Sequence, residues 1–298
     1  MLRKRRGVTL LVTLAIIAAM LGLVGILFGY LQQARSQASF KAAYIQADLL
    51  REDITSFLKG SLKPNPSQQT LQLFYSTPLP IYEEKGEFGM TAHCSALFNR
   101  IPLVWLDGKW DPKHPRRSIL ARKLFDRLSQ QAELKEPERL LAMILSALRG
   151  KTTRFGIDRW LQGKKDKISL HTFHRLLEDY RFAADDPNVY KIEWEDYFLV
   201  EAIDPVPEKI DREFLTPPLV AYLFDQDPAL VKEEYRSGNL SEFLASVGED
   251  GERYAWLFEK NSPAAMECEA IYQFREGTYR LKFDYIAGRI ENFALFRE

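Results

Sequence analysis

The strongest pattern along the chain is a run of twenty-four positions without a charge, Val8 to Leu31, set behind four cations, Arg3, Lys4, Arg5 and Arg6. As a helix rising about 1.5 Å per residue it would extend about 36 Å, enough to cross a hydrocarbon core of about 30 Å with some tilt. The cationic flank predicts a cytoplasmic N-terminus and an exported remainder. A removable secretory signal has a shorter apolar core, and the nearest small-residue cleavage triplet, Ser36-Gln37-Ala38, lies well past this one. Beyond Leu31 the apolar positions do not stop but change spacing. Phe40, Tyr44, Ala47, Leu50, Ile54 and Leu58 recur at three- and four-residue steps, and Gly60 supplies a stop. The membrane helix is therefore expected to continue, amphipathic, to about residue 60.

The rest of the chain alternates between two periods. Leu71 to Tyr82, broken by Pro78 and Pro80, reads as one or two strands, and Leu103 to Leu106 as a buried strand before the Asp107-Gly108 turn. From Ser118 to Tyr180 the period is helical. One helix carries Leu120, Leu124 and Leu128, and a second opens at Pro137 and closes at Gly150. A third spans Thr153 to Leu161, and a fourth is capped by Ser169. Ile192 to Val200 reads as extended; Leu219 to Phe224, Pro228 to Tyr235 and Ser241 to Val247 read as helices. Met266–Phe274, Thr278–Tyr285 and Arg289–Phe296 alternate as three strands joined at Glu276-Gly277 and Ala287-Gly288, an antiparallel meander.

This order predicts an α+β fold in which a contiguous helical domain, about 118–251, is inserted into an α/β domain made of about 61–117 and 252–298. Composition adds little against it. Hydrophobic residues at 46% suffice for a packed core, and a formal charge of zero gives no basic face for nucleic acid. Cys94 and Cys268 would lie in an oxidising compartment, which leaves either a disulfide or two buried thiols.

The junction of short basic leader, glycine and charge-free helix resembles the N-terminus of type IV pilins and type II secretion pseudopilins. In that class an inner-membrane prepilin peptidase cuts after the glycine and methylates the new N-terminus, which would place the cut between Gly7 and Val8. Loss of the four leader cations would take 41 basic side chains to 37, against 41 acidic ones. Most members carry Glu as the fifth mature residue; here that position is Val12. The K-type minor pseudopilin typically lacks that Glu and carries a helical domain inserted in a pilin-like α/β domain. Two K-type stretches resemble parts of this chain, one at Gly86, Phe88 and Leu97, the other at Ile210, Pro217 and Leu223, each without its asparagine pair.

The resemblance implies a structural subunit at the tip of a type II secretion pseudopilus, helping to initiate assembly. Its partners would be other minor pseudopilins, the peptidase and the bacterial inner membrane, with the C-terminal domain periplasmic. A minor pilin of a type IV pilus or DNA-uptake system is the alternative, and a tethered periplasmic enzyme or binding domain a further one. Gly25 and Gly29 form a small-xxx-small pair suited to helix packing in the membrane.

Catalytic signatures are absent: there is no Gly-x-Ser-x-Gly elbow, phosphate-binding glycine loop or His-Glu-x-x-His. His171 and His174, three apart on a predicted helix, read as exposed residues, and His93-Cys94 as adjacent residues pointing apart. The acidic run around Asp185, Asp186 and Glu193 reads as a solvated turn, with calcium, which K-type relatives bind, as the alternative.

Overall fold

The computed structural model describes residues 3–62, 66–82, 88–110, 112–150, 168–201, 203, 206–259, 264–274 and 277–297. The apolar run and the amphipathic stripe form one helix, α1 (Arg3–Ser61), 59 residues long. By length and composition it can cross a membrane. Its outer half buries Ala43, Ala47, Ile54 and Leu58. Tyr44, which the stripe assigned to that face, is instead 44% exposed, because the buried positions step through Ala43, Ala47, Ile54 and Leu58 and leave Tyr44 one position round the helix.

The support is a five-stranded antiparallel sheet in the order β1-β2-β5-β6-β7: β1 (Leu79–Tyr82), β2 (Phe88–Ala96), β5 (Ala265–Phe274), β6 (Gly277–Ile286) and β7 (Arg289–Arg297). The meander β5–β7 follows the predicted alternation. Ala287 and Gly288, with φ of 48° and 83°, make the tight turn whose twist suits a hairpin. Met90, Met266, Cys268, Tyr272, Tyr279, Leu281 and Phe283 face α1 and form one core with it.

Between β2 and β5 the chain leaves the sheet and builds a helical body around its own core, which runs from Ile101 to Phe258. Its helices are α3 (Pro115–Gln131), α4 (Pro137–Leu148), α5 (Leu170–Ala184), α6 (Trp194–Tyr197), α7 (Pro217–Leu223), α8 (Pro228–Glu234) and α9 (Leu240–Ser246). Four of these open on proline, whose missing N–H costs nothing in a first turn. Ser169 caps α5 by accepting from the Thr172 amide at 3.2 Å. Trp194 sits at the centre, with Phe125, Phe173 and Phe198 at ring-centroid distances of 5.7, 6.1 and 6.2 Å. A two-stranded parallel pair, β3 (Ile101–Pro102) with β4 (Phe198–Leu199), ties the entry of this body to its middle.

Three local expectations are corrected. Gln68–Ser76 is a helix, α2, not a strand. Ser67 caps it by accepting from the Thr70 amide, and the strand begins only at Leu79. Leu103–Leu106 is a buried 3-10 turn, packed against α3. Trp194–Tyr197 is one helical turn rather than extended chain, and only Phe198 and Leu199 pair as strand. The helix predicted at Thr153–Leu161 lies outside the described residues, as does Gly86.

Candidate functional site

Two regions of the molecule have surfaces unlike an ordinary folded domain. The first is the inner half of α1. Leu14, Ile17, Leu21, Leu27 and Phe28 are each more than half exposed, an apolar cylinder with no partner from the rest of the described chain. In water this exposure would be very unfavourable; in hydrocarbon it is not. Gly25 and Gly29 lie on this stretch with open space around each, so they leave room for a close neighbour but touch none here. At Gly7 and Val8 the backbone is helical, and their side chains lie outside the described set.

The sheet runs alongside the outer half of α1 with a defined polarity. Phe40 packs on Tyr279 at the start of β6, with ring centroids 6.1 Å apart, and Ser39 lies 3.4 Å from the Tyr279 hydroxyl. Lys59 passes over Gly288 beyond the end of β6, its Cε 3.1 Å from where a Cβ would stand. The strands therefore run along α1. The β5–β6 end is nearest the apolar half, and the end where the helical body departs is farthest from it.

The second region is that far junction. Cys94 on β2 and Cys268 on β5 are directly opposed in register and joined by a disulfide, closing the whole insertion between neighbouring strands. Leu97 donates its amide to the Ala265 carbonyl at 3.1 Å, extending the closure by one step. Beside it Arg100 is paired with Glu267 on β5. A cleft of about 670 Å³ opens between the outer face of β5–β7 and the helical body, lined by Phe198, Leu199, Lys282, Asp284 and Phe296 among others.

At the head of the cleft Glu201, just after β4, meets Asp284 of β6. Asp284 is buried and accepts from Asn292 Nδ2 at 2.7 Å. Burial, then the Glu201 and Glu267 charges, push its pKa up to about 7 against the opposing Asn292 bond. Burial and the Glu267 charge also raise Glu201, while its hydrogen bond to Asp284 works the other way. Burial and nearby carboxylate charge thus raise both carboxyls of this pair, which share a hydrogen bond. Nothing in the sequence marked this pair, because Glu201 and Asp284 meet only through the docking of the helical body on the sheet.

The other sequence-predicted residues lie elsewhere. Asp186 is fully buried and accepts from the Lys135 amide at 2.8 Å, the Tyr180 hydroxyl at 2.9 Å and the Asn188 amide at 3.1 Å. Burial opposes its charge, but these donors outweigh it and hold its pKa below the usual carboxylate range. Its lone pairs are committed to closing the end of α5, not aimed at a shared point with Asp185 and Glu193. Asp185 is the left-handed C-cap of α5, its side chain fully exposed, and Glu193 precedes α6. His174 pairs with Glu195 at 3.0 Å and His171 with Arg175 at 3.0 Å, both on the surface. Among the described residues no group of three or more His, Cys, Asp or Glu is placed to hold a metal ion.

No protein-family model matches the chain, and no curated protein matches it. Among solved structures it is similar to a chain of the GspK–GspI–GspJ complex from the type 2 secretion system of enterotoxigenic Escherichia coli. The alignment covers 89% of this chain and 99% of that one at 14% identity, with a TM-score of 0.54. The two chains share a fold, which in this one comprises a long apolar N-terminal helix, an antiparallel sheet and further helices.

Proposed function

We propose that this protein is a minor pseudopilin of a type II secretion system, of the K type, with a structural and not an enzymatic role. The observation that carries this reading is the unbroken α1, whose charge-free half is exposed throughout its described side chains, from Val12 on, and whose outer half packs on an antiparallel sheet. A shaft built of such subunits buries the exposed halves against one another. The fold shared with a chain of a pseudopilin complex supports other minor pseudopilins as partners.

In this reading α1 crosses the inner membrane once, with Arg3 to Arg6 cytoplasmic and the sheet and helical body periplasmic. The disulfide suits that oxidising compartment. Val12 in place of a carboxylate suits a subunit with nothing ahead of it, since an unpaired charge in lipid is costly. The helical body, carried at the end of the sheet farthest from the membrane, would obstruct a following subunit along the filament and favours a terminal position. There the subunit would help to start assembly.

The test is the intact mass and N-terminal sequence of the protein from membranes, with and without co-expressed prepilin peptidase. A peptidase-dependent start at Val8 with one added methyl group is expected. A start at Met1 in both samples would sink the proposal.

A further inference from the structure

The polarity of the sheet along α1 places one corner of it at the bilayer surface. The apolar run ends at Leu31, and Ser36 and Lys41 follow five and ten residues later, about 8 and 15 Å further along the helix. The headgroup layer extends roughly 5–8 Å beyond the hydrocarbon on each side, and tilt of the over-long span brings both residues closer to it. Packed against this stretch is the end of β7: Ser36, Gln37, Phe40, Lys41, Leu295 and Phe296 line one groove of about 530 Å³. Leu295 is buried against α1, whereas Phe296, on the other face of the strand, is 51% exposed. Lys41, which lines the groove, and Arg35, next in sequence to Ser36, are both exposed. An aromatic ring flanked by long cationic side chains just past the end of a membrane span is the combination that settles at a lipid–water interface.

We propose that the Phe296 corner of the sheet docks into the headgroup layer of the bilayer that α1 crosses, with phospholipid as its partner. Phe296 sits among the headgroups, and Lys41 and Arg35 extend to lipid phosphates. The membrane-held subunit then rests on two supports, the span and this corner, so that the helical body has a fixed direction away from the surface. The proposal rests on α1 spanning a membrane, and the experiment separates the two.

Single cysteines at Phe296, Lys41, Leu21 and Phe182 are spin-labelled in the full-length chain, the native pair staying oxidised. The protein is reconstituted in phosphatidylethanolamine–phosphatidylglycerol vesicles, and collision with oxygen is compared with collision with a water-soluble nickel chelate. Leu21 should report deep lipid, and Phe182, exposed on α5, water. The oxygen-to-nickel ratio at Phe296 should exceed that at Phe182 by several-fold, with Lys41 intermediate. A lipid signal at Leu21 with Phe296 and Lys41 as wet as Phe182 would overturn the corner alone. A wet Leu21 would overturn the span and the corner together.

Discussion

The sheet body and the helical body are held by different kinds of information. In the sheet body the decisive contacts join residues far apart in the chain: β2 lies beside β5, and α1 beside β6 and β7. In the helical body, helices with proline at their first turn and side-chain caps form from neighbouring residues and then gather around Trp194. The first is specified by register, the second by period. The two therefore should fail in different ways.

The disulfide is where that difference is largest. It closes a loop with a sequence separation of 174, for which the chain-entropy account gives about 5 kcal/mol of stabilisation through the unfolded chain, and its covalent tie lies in the β2–β5 pairing. Replacing both cysteines, Cys94→Ser with Cys268→Ser, should raise hydrogen exchange across β2, β5 and β6 of the full chain in micelles before it raises exchange in α3 to α5. Uniform loss across both bodies would show that they unfold as one unit.

Trp194→Ala probes the converse. Emptying the aromatic centre should cost about 3–5 kcal/mol and leave the Val189 carbonyl without its indole donor. Exchange should rise in α3, α5 and α6 while the sheet keeps its protection. Equal loss in β5 and β6 would erase the proposed separation.

The smallest effect lies between the bodies. Asp284 is raised to about 7 in the folded chain, above its unfolded value of 3.8, so the native state holds the extra proton between those pH values. Stability is thus greatest at low pH within this window and falls as pH rises toward 7, by on the order of 2 kcal/mol between pH 5 and 8. Above 7 a charged Asp284 stands against Glu201 and Glu267, with Arg100 and Lys282 as the nearby cations. Chemical denaturation at pH 5 and 8 measures the difference, and Asp284→Asn should flatten it. A profile of unchanged slope in that variant would assign the pH dependence elsewhere.

The same division explains what could be read from the amino acids. The β5–β7 meander was legible because alternation and turn residues are local, α3 because its apolar positions keep a helical period, and α4 and α5 because Pro137 and Ser169 mark their starts. Leu71 to Tyr82, broken by Pro78 and Pro80, read as strand because so short an apolar run shows no clear helical period, whereas the Ser67 cap is what starts α2. Leu103–Leu106 is a four-residue apolar run, too short for its period to separate strand from 3-10 turn. At the junction, composition left open whether Cys94 and Cys268 pair; their opposition is a property of the β2–β5 register. Glu201 and Asp284 were invisible for the same reason, whereas the exposed cylinder of α1 was plain from hydropathy alone.

The lie of the strands along α1 has a mechanical consequence. Traction on the helix is passed to the sheet parallel to its strands, so a ladder such as β5–β6 is loaded in shear, its hydrogen bonds sharing the force at once instead of peeling open one after another. The disulfide crosses the adjoining pair as a covalent tie. A pull on the helix would therefore leave the sheet intact, and the helical body, grafted at the end of that ladder away from the apolar half of α1, would carry none of the load.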